Sequence, residues 1–438
     1  MKRTLYNKLL TWKESKFRKP LILKGTRQTG KTYLLLEFGK NEFRAVHHFN
    51  FQKDKSACEI FSDDLSPSSI LEAMEFYLDS RIDKDNDLVF FDEIQDCPRA
   101  LTSLKYFYED MSQLAVACAG SLLGVTHSKE PFPVGMVSFL HLFPMSFEEF
   151  LLAIGDERGF KKLRSISKGE TLSKSVHEHY MNHLREYFVV GGMPEVVKTY
   201  LENSTSKAEA FLKVREKQTE LITAYMSDFS KYSGKIRGNE IVAVFESTPA
   251  QLARENKKFM AKEVHPSGRF SQLRSPIDWL CGAGLLIKVK ITNSGQIPFT
   301  AFTKENRFKL YLFDIGILGG LAQLHPKNIF QQSDLFSTFK GAFCENFVAQ
   351  EFLYSGSGNL YSWMRNTAEI EFLREVKGDV LPVEVKAGHS GKLKSLNVFA
   401  SKYDVPYRTR FSARNLEFNE SAKMHNYPLY LAYRFPLK

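Results

Sequence analysis

The stretch Leu21-Ile22-Leu23-Lys24-Gly25-Thr26-Arg27-Gln28-Thr29-Gly30-Lys31-Thr32 decides the fold of this chain. Its leading apolar residues predict a buried strand, and the apolar pattern that begins at Tyr33 predicts a helix. The eight residues from Gly25 to Thr32 match the pattern GxxxxGK[ST] in full. In such a loop the backbone N–H groups and the helix N-terminus point at phosphate groups. The stretch therefore predicts a strand, a phosphate-binding loop and a helix in succession.

Two residues of the loop have specific expected roles. Lys31 would reach the β- and γ-phosphates of a nucleotide, and the Thr32 hydroxyl would coordinate Mg²⁺. We expect the whole loop to bind ATP, through Gly25, Thr26, Arg27, Gln28, Thr29, Gly30, Lys31 and Thr32. An incidental glycine turn before a helix is the alternative, and the strand and helix patterns on either side argue against it.

An acidic pair follows a second apolar run. Leu88-Val89-Phe90-Phe91 has the continuous apolar character of a strand buried on both faces, and it ends in Asp92-Glu93. Asp92 would help to hold Mg²⁺, and Glu93 would orient or deprotonate the attacking water. Such a pair often only caps the next helix, but together with the loop it predicts an ATPase site. No NKxD-type guanine-binding motif is present, which favours ATP over GTP.

A third apolar run, from Ala115 to Ala119, leads through Gly120 to Ser121. Ser121 would either sense the γ-phosphate as a catalytic residue or cap a helix, and the sequence leaves both roles open. Further strands are predicted at 46–51 and 137–142, and helices near 32–39, 67–80 and 99–111. This alternation predicts an α/β domain with a parallel sheet. Ser146 and Glu149 have the spacing of a capping box that opens another helix.

The composition indicates a folded globular protein and argues against a membrane or disulfide-rich protein. The chain has 438 residues, which predicts about three domains, and 43% hydrophobic with 25% charged residues is typical of folded globular proteins. No apolar run reaches the roughly 18 residues of a membrane span, and the basic start carries no apolar signal segment. Five cysteines without a CxxC pair argue against a disulfide framework and a zinc site. We expect a cytoplasmic protein.

The net charge of +10 is uneven: residues 1–150 carry −2, residues 151–335 carry +8 and residues 336–438 carry +4. A basic middle segment could attract DNA or RNA, or it could merely keep a helical region soluble. Residues 267–313 resemble a helix followed by a hairpin near Asn293-Ser294-Gly295, which suggests a winged helix with Arg269 and Arg274 near phosphates. The alternative, which we favour, is that this segment only couples the ATPase to the tail.

The tail contains carboxylates that a predicted hairpin would bring together. If the strands around Ile370 and Val383 form a hairpin that turns at Lys377-Gly378, Glu371 and Glu384 lie directly opposite each other. Opposed carboxylates destabilise a sheet unless something compensates for them. A divalent metal would do so, with Lys386 holding a water for phosphodiester cleavage. An inactive scaffold is the alternative.

This tail constellation resembles the (D/E)…ExK core of restriction-type nucleases. The resemblance implies a possible nuclease site made of Glu345, Glu371, Glu384 and Lys386, with Glu345 as the outlying carboxylate. Glu371 stands where an aspartate is commoner.

The whole set of motifs resembles a large group of prokaryotic AAA-type ATPases with a C-terminal domain of unknown function. The resemblance rests on the loop and on motifs throughout the chain: Phe91-Asp92-Glu93-Ile94-Gln95, Ala119-Gly120-Ser121-Leu122-Leu123, Leu142-Phe143-Pro144-Met145-Ser146-Phe147, Val190-Gly191-Gly192-Met193-Pro194, Asp228-Phe229-Ser230-Lys231-Tyr232, Tyr311-Leu312-Phe313-Asp314 and Glu384-Val385-Lys386. It implies an AAA-type ATPase core, a central winged helix and a restriction-endonuclease-like end. One position departs from the family, because Met136 stands where a basic residue is usual. This implies slow intrinsic hydrolysis, or an arginine supplied by a second copy of the chain.

The sequence therefore predicts an α/β P-loop domain over 1–155, a helical and winged-helix region over 156–335 and a small α/β nuclease-like domain over 336–438. The predicted function is Mg²⁺-dependent ATP hydrolysis coupled to the C-terminal region and acting on nucleic acid. The alternative is a nucleotide-dependent protein-interaction switch with slow turnover and a catalytically dead tail.

Overall fold

A computed structural model of the chain describes residues 1–121, 132–229, 238–266, 268–331, 337–388 and 393–438. The motif residues at 122–123 and at 230–232 lie outside these ranges. The chain divides into two units, Met1–Phe143 and Pro144–Lys438. The boundaries expected at 155/156 and 335/336 both fall inside the second unit.

The first unit contains a five-stranded sheet. Its strands are β1 (Leu21–Lys24), β2 (Val46–Asn50), β3 (Leu88–Asp92), β4 (Ala115–Gly120) and β5 (Ser138–His141), in the order β2-β3-β4-β1-β5. All four strand pairs are parallel, which confirms the predicted sheet. β3 and β4 are buried at every position, as their continuous apolar runs indicated.

Helices cover both faces of this sheet. They are α1 (Tyr6–Lys13), α2 (Lys31–Glu42), α3 (Pro67–Leu78) and α4 (Pro98–Asp110). Phe91 packs with α3 and α4 in one core cluster, whereas its neighbour Phe90 packs with α1 and α2 in the other. Because successive side chains of a strand point to opposite faces, the two clusters lie on opposite sides of the sheet. All five strands run in the same direction, so their carboxyl ends, which bear the predicted site residues, share one edge.

The second unit begins with helices. They are α5 (Phe147–Ala153), α6 (Glu157–Ser165), α7 (Lys174–Val190), α8 (Pro194–Glu202), α9 (Lys207–Phe229), α10 (Gly238–Leu252) and α11 (Phe270–Gly282). The predicted capping box at the start of α5 is confirmed: the Glu149 N–H donates to Ser146 Oγ, and the Ser146 N–H donates to Glu149 Oε2, both at 3.3 Å.

The second unit continues with an eight-stranded sheet. Its strands are β6 (Leu286–Thr292), β7 (Thr303–Leu312), β8 (Leu360–Arg365), β9 (Ala368–Val376), β10 (Asp379–Val385), β11 (Arg408–Ser412), β12 (Glu417–Asn419) and β13 (Met424–Pro428), in the order β12-β13-β11-β10-β9-β8-β6-β7. The accompanying helices are α12 (Ile315–Leu321), α13 (Pro326–Gln331), α14 (Ser337–Tyr354) and α15 (Lys394–Ala400).

The structure adds two points to what the sequence indicated about this unit. The hairpin β6–β7 exists, but β6 also pairs in parallel with β8, so the hairpin belongs to the same sheet as the tail strands rather than to a separate wing. The apolar run Leu429–Ala432, which would equally suit a strand, forms a 3₁₀ helix over Leu429–Arg434. All four residues of that run are buried, and a short buried run does not distinguish a strand from a helix by periodicity.

None of the helices in the described ranges combines the length and the apolar character that crossing a bilayer requires.

Candidate functional site

The glycine-rich loop of the first unit joins the end of β1 to the start of α2, as predicted. Gly30 precedes the helix with a φ of 90°, in the left-handed region that favours glycine. Gly25 lies so close to the segment after β5 that a Cβ there would be 2.2 Å from the Leu142 carbonyl oxygen. The Thr29 hydroxyl donates to the Thr26 carbonyl oxygen at 2.8 Å and tightens the turn. The loop therefore wraps around the N-terminus of a helix of 12 residues.

Lys31 points back into this loop. Its ammonium donates to the carbonyl oxygens of Gly25 at 2.9 Å and Thr26 at 3.0 Å, and the residue is only 7% exposed. Burial lowers the pKa of Lys31 to about 8, although Glu93 and Asp92 oppose the shift. A buried ammonium in the first turn of a helix attracts phosphate oxygens.

Asp92 ends β3 beside the loop. Its carboxylate accepts from Thr32 Oγ1 at 3.2 Å and 3.0 Å, and from Asn50 Nδ2 at 3.0 Å. His48 Nε2 lies 3.5 Å from the same carboxylate. The two residues predicted to hold Mg²⁺, 60 positions apart in the sequence, are thus in direct contact. A hydroxyl and a carboxylate supply the oxygen ligands that Mg²⁺ prefers, so these side chains fit the ion.

Glu93 and Ser121 lie at the same edge of the sheet. Glu93 has a left-handed backbone with φ 51°, and its Oε2 accepts from Gln95 Nε2 at 2.6 Å. This hydrogen bond gives the carboxylate a fixed direction after the strand. Ser121 follows β4, and its hydroxyl lies 3.4 Å from Arg27 Nε. The residues after Ser121 fall outside the described ranges, so both predicted roles of this hydroxyl stay open.

Three residues of this site were not predicted from the sequence because their contacts are tertiary. Asn50 and His48 reach Asp92 because β2 lies beside β3, with Asn50 paired to Asp92. Arg3 donates to the carbonyl oxygens of Thr29 at 3.0 Å and Phe143 at 2.5 Å, and so ties the loop to the segment after β5. A polar residue at the end of each parallel strand was the available signal for Asn50; nothing in the sequence pointed to Arg3.

Replacing Gly25 with alanine tests the close approach of the loop. The added Cβ would collide with a backbone oxygen that has no room to move, so the loop must shift away from its phosphate-binding shape. We expect ATP affinity to fall by at least about tenfold, equivalent to about 1.4 kcal/mol. Equilibrium binding of a fluorescent ATP analogue measures the change. Gly341→Ala is the matched control, because a Cβ there meets nothing within 4 Å; equal affinity for Gly25→Ala and wild type would contradict the prediction.

The predicted hairpin register in the second unit is confirmed. β9 and β10 turn at Lys377 and Gly378, which both have positive φ, and Val383 pairs with Phe372. Glu384 and Glu371 are therefore the next pair along the hairpin. The Val385 N–H donates to Glu371 Oε2 at 3.3 Å, which holds that carboxylate against the partner strand.

The predicted tail residues lie together with further charged groups. We name the whole set the acid–lysine cluster: Glu345, Glu369, Glu371, Glu384, Lys257, Lys309, Lys386 and Tyr311. Lys386 Nζ lies 2.5 Å from Glu384 Oε1 and 4.0 Å from Glu371 Oε1. Lys257 Nζ lies 2.6 Å from Glu345 Oε1, and the Tyr311 hydroxyl donates to Glu345 Oε2 at 3.0 Å. Lys309 forms an ion pair with Glu369.

Burial and neighbouring charges shift the pKa values of two acids of this cluster in opposite directions. Burial raises the pKa of Glu371 well above its usual range, and Glu384 and Glu345 add to the shift. Burial also acts to raise the pKa of Glu345, but Lys257 and Lys309 outweigh it and the net direction is downward. Glu371 therefore holds a proton more readily than Glu345 does. The sequence did not predict the part played by Lys257, Lys309 and Tyr311. These residues belong to the middle segment, which lies beside the tail acids only because both segments contribute strands to one sheet.

The first unit coincides with a known kind of domain. Residues 17–151 match the family model of an AAA domain. Residues 181–328 match a domain of unknown function, DUF8612, and residues 340–430 match another, DUF4143. No curated protein matches the chain.

Several solved structures are similar at low identity. A Walker-type ATPase of Pyrococcus abyssi has 14% identity and a TM-score of 0.45, with 73% of this chain and 95% of that chain covered. The Orc1 protein of Aeropyrum pernix in complex with DNA has 13% identity and a TM-score of 0.33, with 76% and 91% covered. DnaA of Aquifex aeolicus bound to AMPPCP has 14% identity and a TM-score of 0.27, with 64% and 86% covered. The first unit, with its parallel sheet and glycine-rich loop, is therefore similar to an AAA domain, and two stretches similar to domains of unknown function follow it in the sequence.

Proposed function

We propose that the first unit binds ATP together with Mg²⁺ and hydrolyses the nucleotide. The contact between Thr32 Oγ1 and Asp92 at 3.0 Å carries the proposal, since it joins the two expected magnesium ligands beside the buried ammonium of Lys31. Residues Gly25 to Thr32 would surround the phosphates with N–H groups. When bound, Mg²⁺ supplies positive charge to the β- and γ-phosphate oxygens.

The residues around this loop have distinct roles in the proposed reaction. Lys31 exchanges its two carbonyl partners for phosphate oxygens. Glu93, held by Gln95, orients a water and accepts its proton as the oxygen attacks the γ-phosphorus and the bond to the β-phosphate oxygen breaks. Arg27, 3.4 Å from the Ser121 hydroxyl, offers the loop's own positive charge on the γ-phosphate side. Met136 offers no charge, which supports slow turnover by a single copy or an arginine from a second copy.

An ATPase assay across protein concentrations tests this function. Phosphate release by the full chain should require Mg²⁺ and should disappear in EDTA. Specific activity that rises with protein concentration would support an arginine contributed by a second copy. Fast turnover that is independent of concentration would contradict the expected consequence of Met136, and absence of ATP binding would overturn the whole proposal.

Nucleic acid is the proposed target of the ATPase. The net positive charge of the middle segment, residues 151–335, supports this proposal. The cations of this segment are partly engaged within the chain, however. Arg274 Nη2 lies 2.6 Å from Glu305 Oε1, and Arg254 Nη1 lies 2.8 Å from Glu263 Oε1. These pairs favour the reading in which the segment couples the units rather than contacts phosphates. DNA binding by the full chain that weakens steeply with salt, and DNA-stimulated ATPase activity, would support the nucleic-acid target.

A nucleotide-dependent interaction switch is the competing function. It predicts tight ATP binding, little hydrolysis with or without DNA, and a protein partner retained only in one nucleotide state. Parallel measurements of nucleotide binding and turnover on the same sample separate the two proposals.

Metal-dependent phosphodiester cleavage is a second candidate function, supported by the acid–lysine cluster. Glu371 and Glu384 lie opposite each other with Lys386 between them, which is an arrangement suited to a divalent cation and an activated water. We expect the full chain with Mn²⁺ to cut DNA or RNA, and Glu384→Gln to abolish the cutting. Glu375→Gln on the same strand pair is the control. If the wild-type chain cuts neither substrate, the cluster is a structural charge network.

A further inference from the structure

Two histidines and an aspartate of the second unit face one another outside both sites described above. His179 and His183 are four residues apart on α7, so their side chains share one face of the helix. Asp156 precedes α6 and caps it. One potential ligand atom from each of the three side chains lies within 4.8 Å of the other two.

The two carboxylate oxygens of Asp156 have different partners. Oδ1 accepts from the Gly159 N–H at 2.8 Å, which is the helix cap. Oδ2 lies 2.7 Å from His179 Nε2, and the two imidazole rings are 4.7 Å apart between centroids. The cap fixes the carboxylate, so the oxygen that faces the histidines does not depend on a bound ion for its position.

Glu186 fixes the second histidine. Its Oε2 lies 3.0 Å from His183 Nδ1, and its other oxygen pairs with Lys207. Glu186 is 4% exposed, so this partner is held in place. A carboxylate that accepts from Nδ1 leaves the Nε2 lone pair available, which is the arrangement by which proteins orient histidines that bind metals.

We propose that Asp156, His179 and His183 bind a divalent transition-metal ion of the zinc type. Two imidazoles and one carboxylate suit Zn²⁺, Co²⁺ or Ni²⁺, whereas Mg²⁺ and Ca²⁺ take oxygen ligands. Ligand atoms around a tetrahedral zinc ion lie about 3.3 Å apart, so small side-chain shifts complete the site. Asp156 and His179 also line a cleft of about 270 Å³, together with Arg158, Lys162 and Tyr180.

Cobalt and zinc titrations test the site. The full chain, made without a histidine tag and stripped with a chelator, should bind one equivalent of Co²⁺ with the visible absorption of a tetrahedral complex and without a thiolate charge-transfer band. Zn²⁺ should displace it. Protons compete with the metal for its ligands, so affinity should fall when the pH is lowered.

Three variants decide whether these side chains are the ligands. His179→Gln and His183→Gln should each weaken Co²⁺ binding by at least about 100-fold, and Glu186→Gln by about 10–100-fold as an outer partner. His265→Gln, at an exposed histidine elsewhere in the unit, and Glu371→Gln, in the acid–lysine cluster, should leave the affinity unchanged. His179 is 45% exposed in its side chain, so its variant should fold as the wild type does. No binding by the wild type, or equal binding by His179→Gln, overturns the proposal.

Discussion

Lys31→Met is expected to remove ATP hydrolysis, lowering turnover by about 10²–10³-fold, because it deletes the cation aimed at the phosphates. Methionine has a similar length and an apolar stem, so it fills the buried space without the charge. The variant also removes the two hydrogen bonds from the ammonium to the carbonyl oxygens of Gly25 and Thr26. Steady-state phosphate release, together with equilibrium ATP binding, measures the effect.

Lys24→Met is the matched control for this experiment. Lys24 is the last residue of β1, just before the loop, but its Nζ lies 4.0 Å from the centre of the Phe139 ring instead of in the loop. The same chemical change should therefore leave turnover within a few fold of the wild type. Circular dichroism should report folded protein for both variants. Equal losses for the two lysines would mean that general charge near the sheet edge, and not the position of Lys31, supports the activity.

Local patterns predicted the glycine-rich loop between β1 and α2 because all its determinants lie in one stretch. The strand, the glycines and the helix of that stretch adopt the expected order, with Lys31 inside the loop. The register of Glu371 against Glu384 was predictable for a similar reason, since a two-residue turn fixes every pair of a hairpin. In both cases the relevant partners are close in sequence.

Partners distant in sequence were not predictable. Nothing in the residues of β6 indicates that it pairs with β8, and the sequence predicts only a helix followed by a hairpin there. That pairing belongs to the same sheet that gathers Lys257, Lys309 and Tyr311 around the tail acids. The pairing of β2 with β3, which sets Asn50 beside Asp92, is likewise a property of the whole sheet.

Glu93→Gln is expected to separate ATP binding from hydrolysis. The amide keeps the size of the side chain but cannot accept a proton, so turnover should fall by about 10²–10⁴-fold while ATP affinity stays near that of the wild type. Radiolabelled ATP held on the protein, measured beside phosphate release, gives both quantities. Glu72→Gln, on the exposed face of α3, is the control and should change neither.

The neighbouring acid gives the sharpest comparison. Asp92→Asn keeps an oxygen for the Thr32 hydroxyl but removes the charge that would hold Mg²⁺, so we expect weaker affinity for Mg²⁺–ATP as well as slower hydrolysis. The two variants would then differ: Glu93→Gln would bind ATP without hydrolysing it, and Asp92→Asn would bind Mg²⁺–ATP weakly. If Glu93→Gln also lost affinity to the same extent, the two carboxylates would act together on the metal, and the general base would have to lie elsewhere.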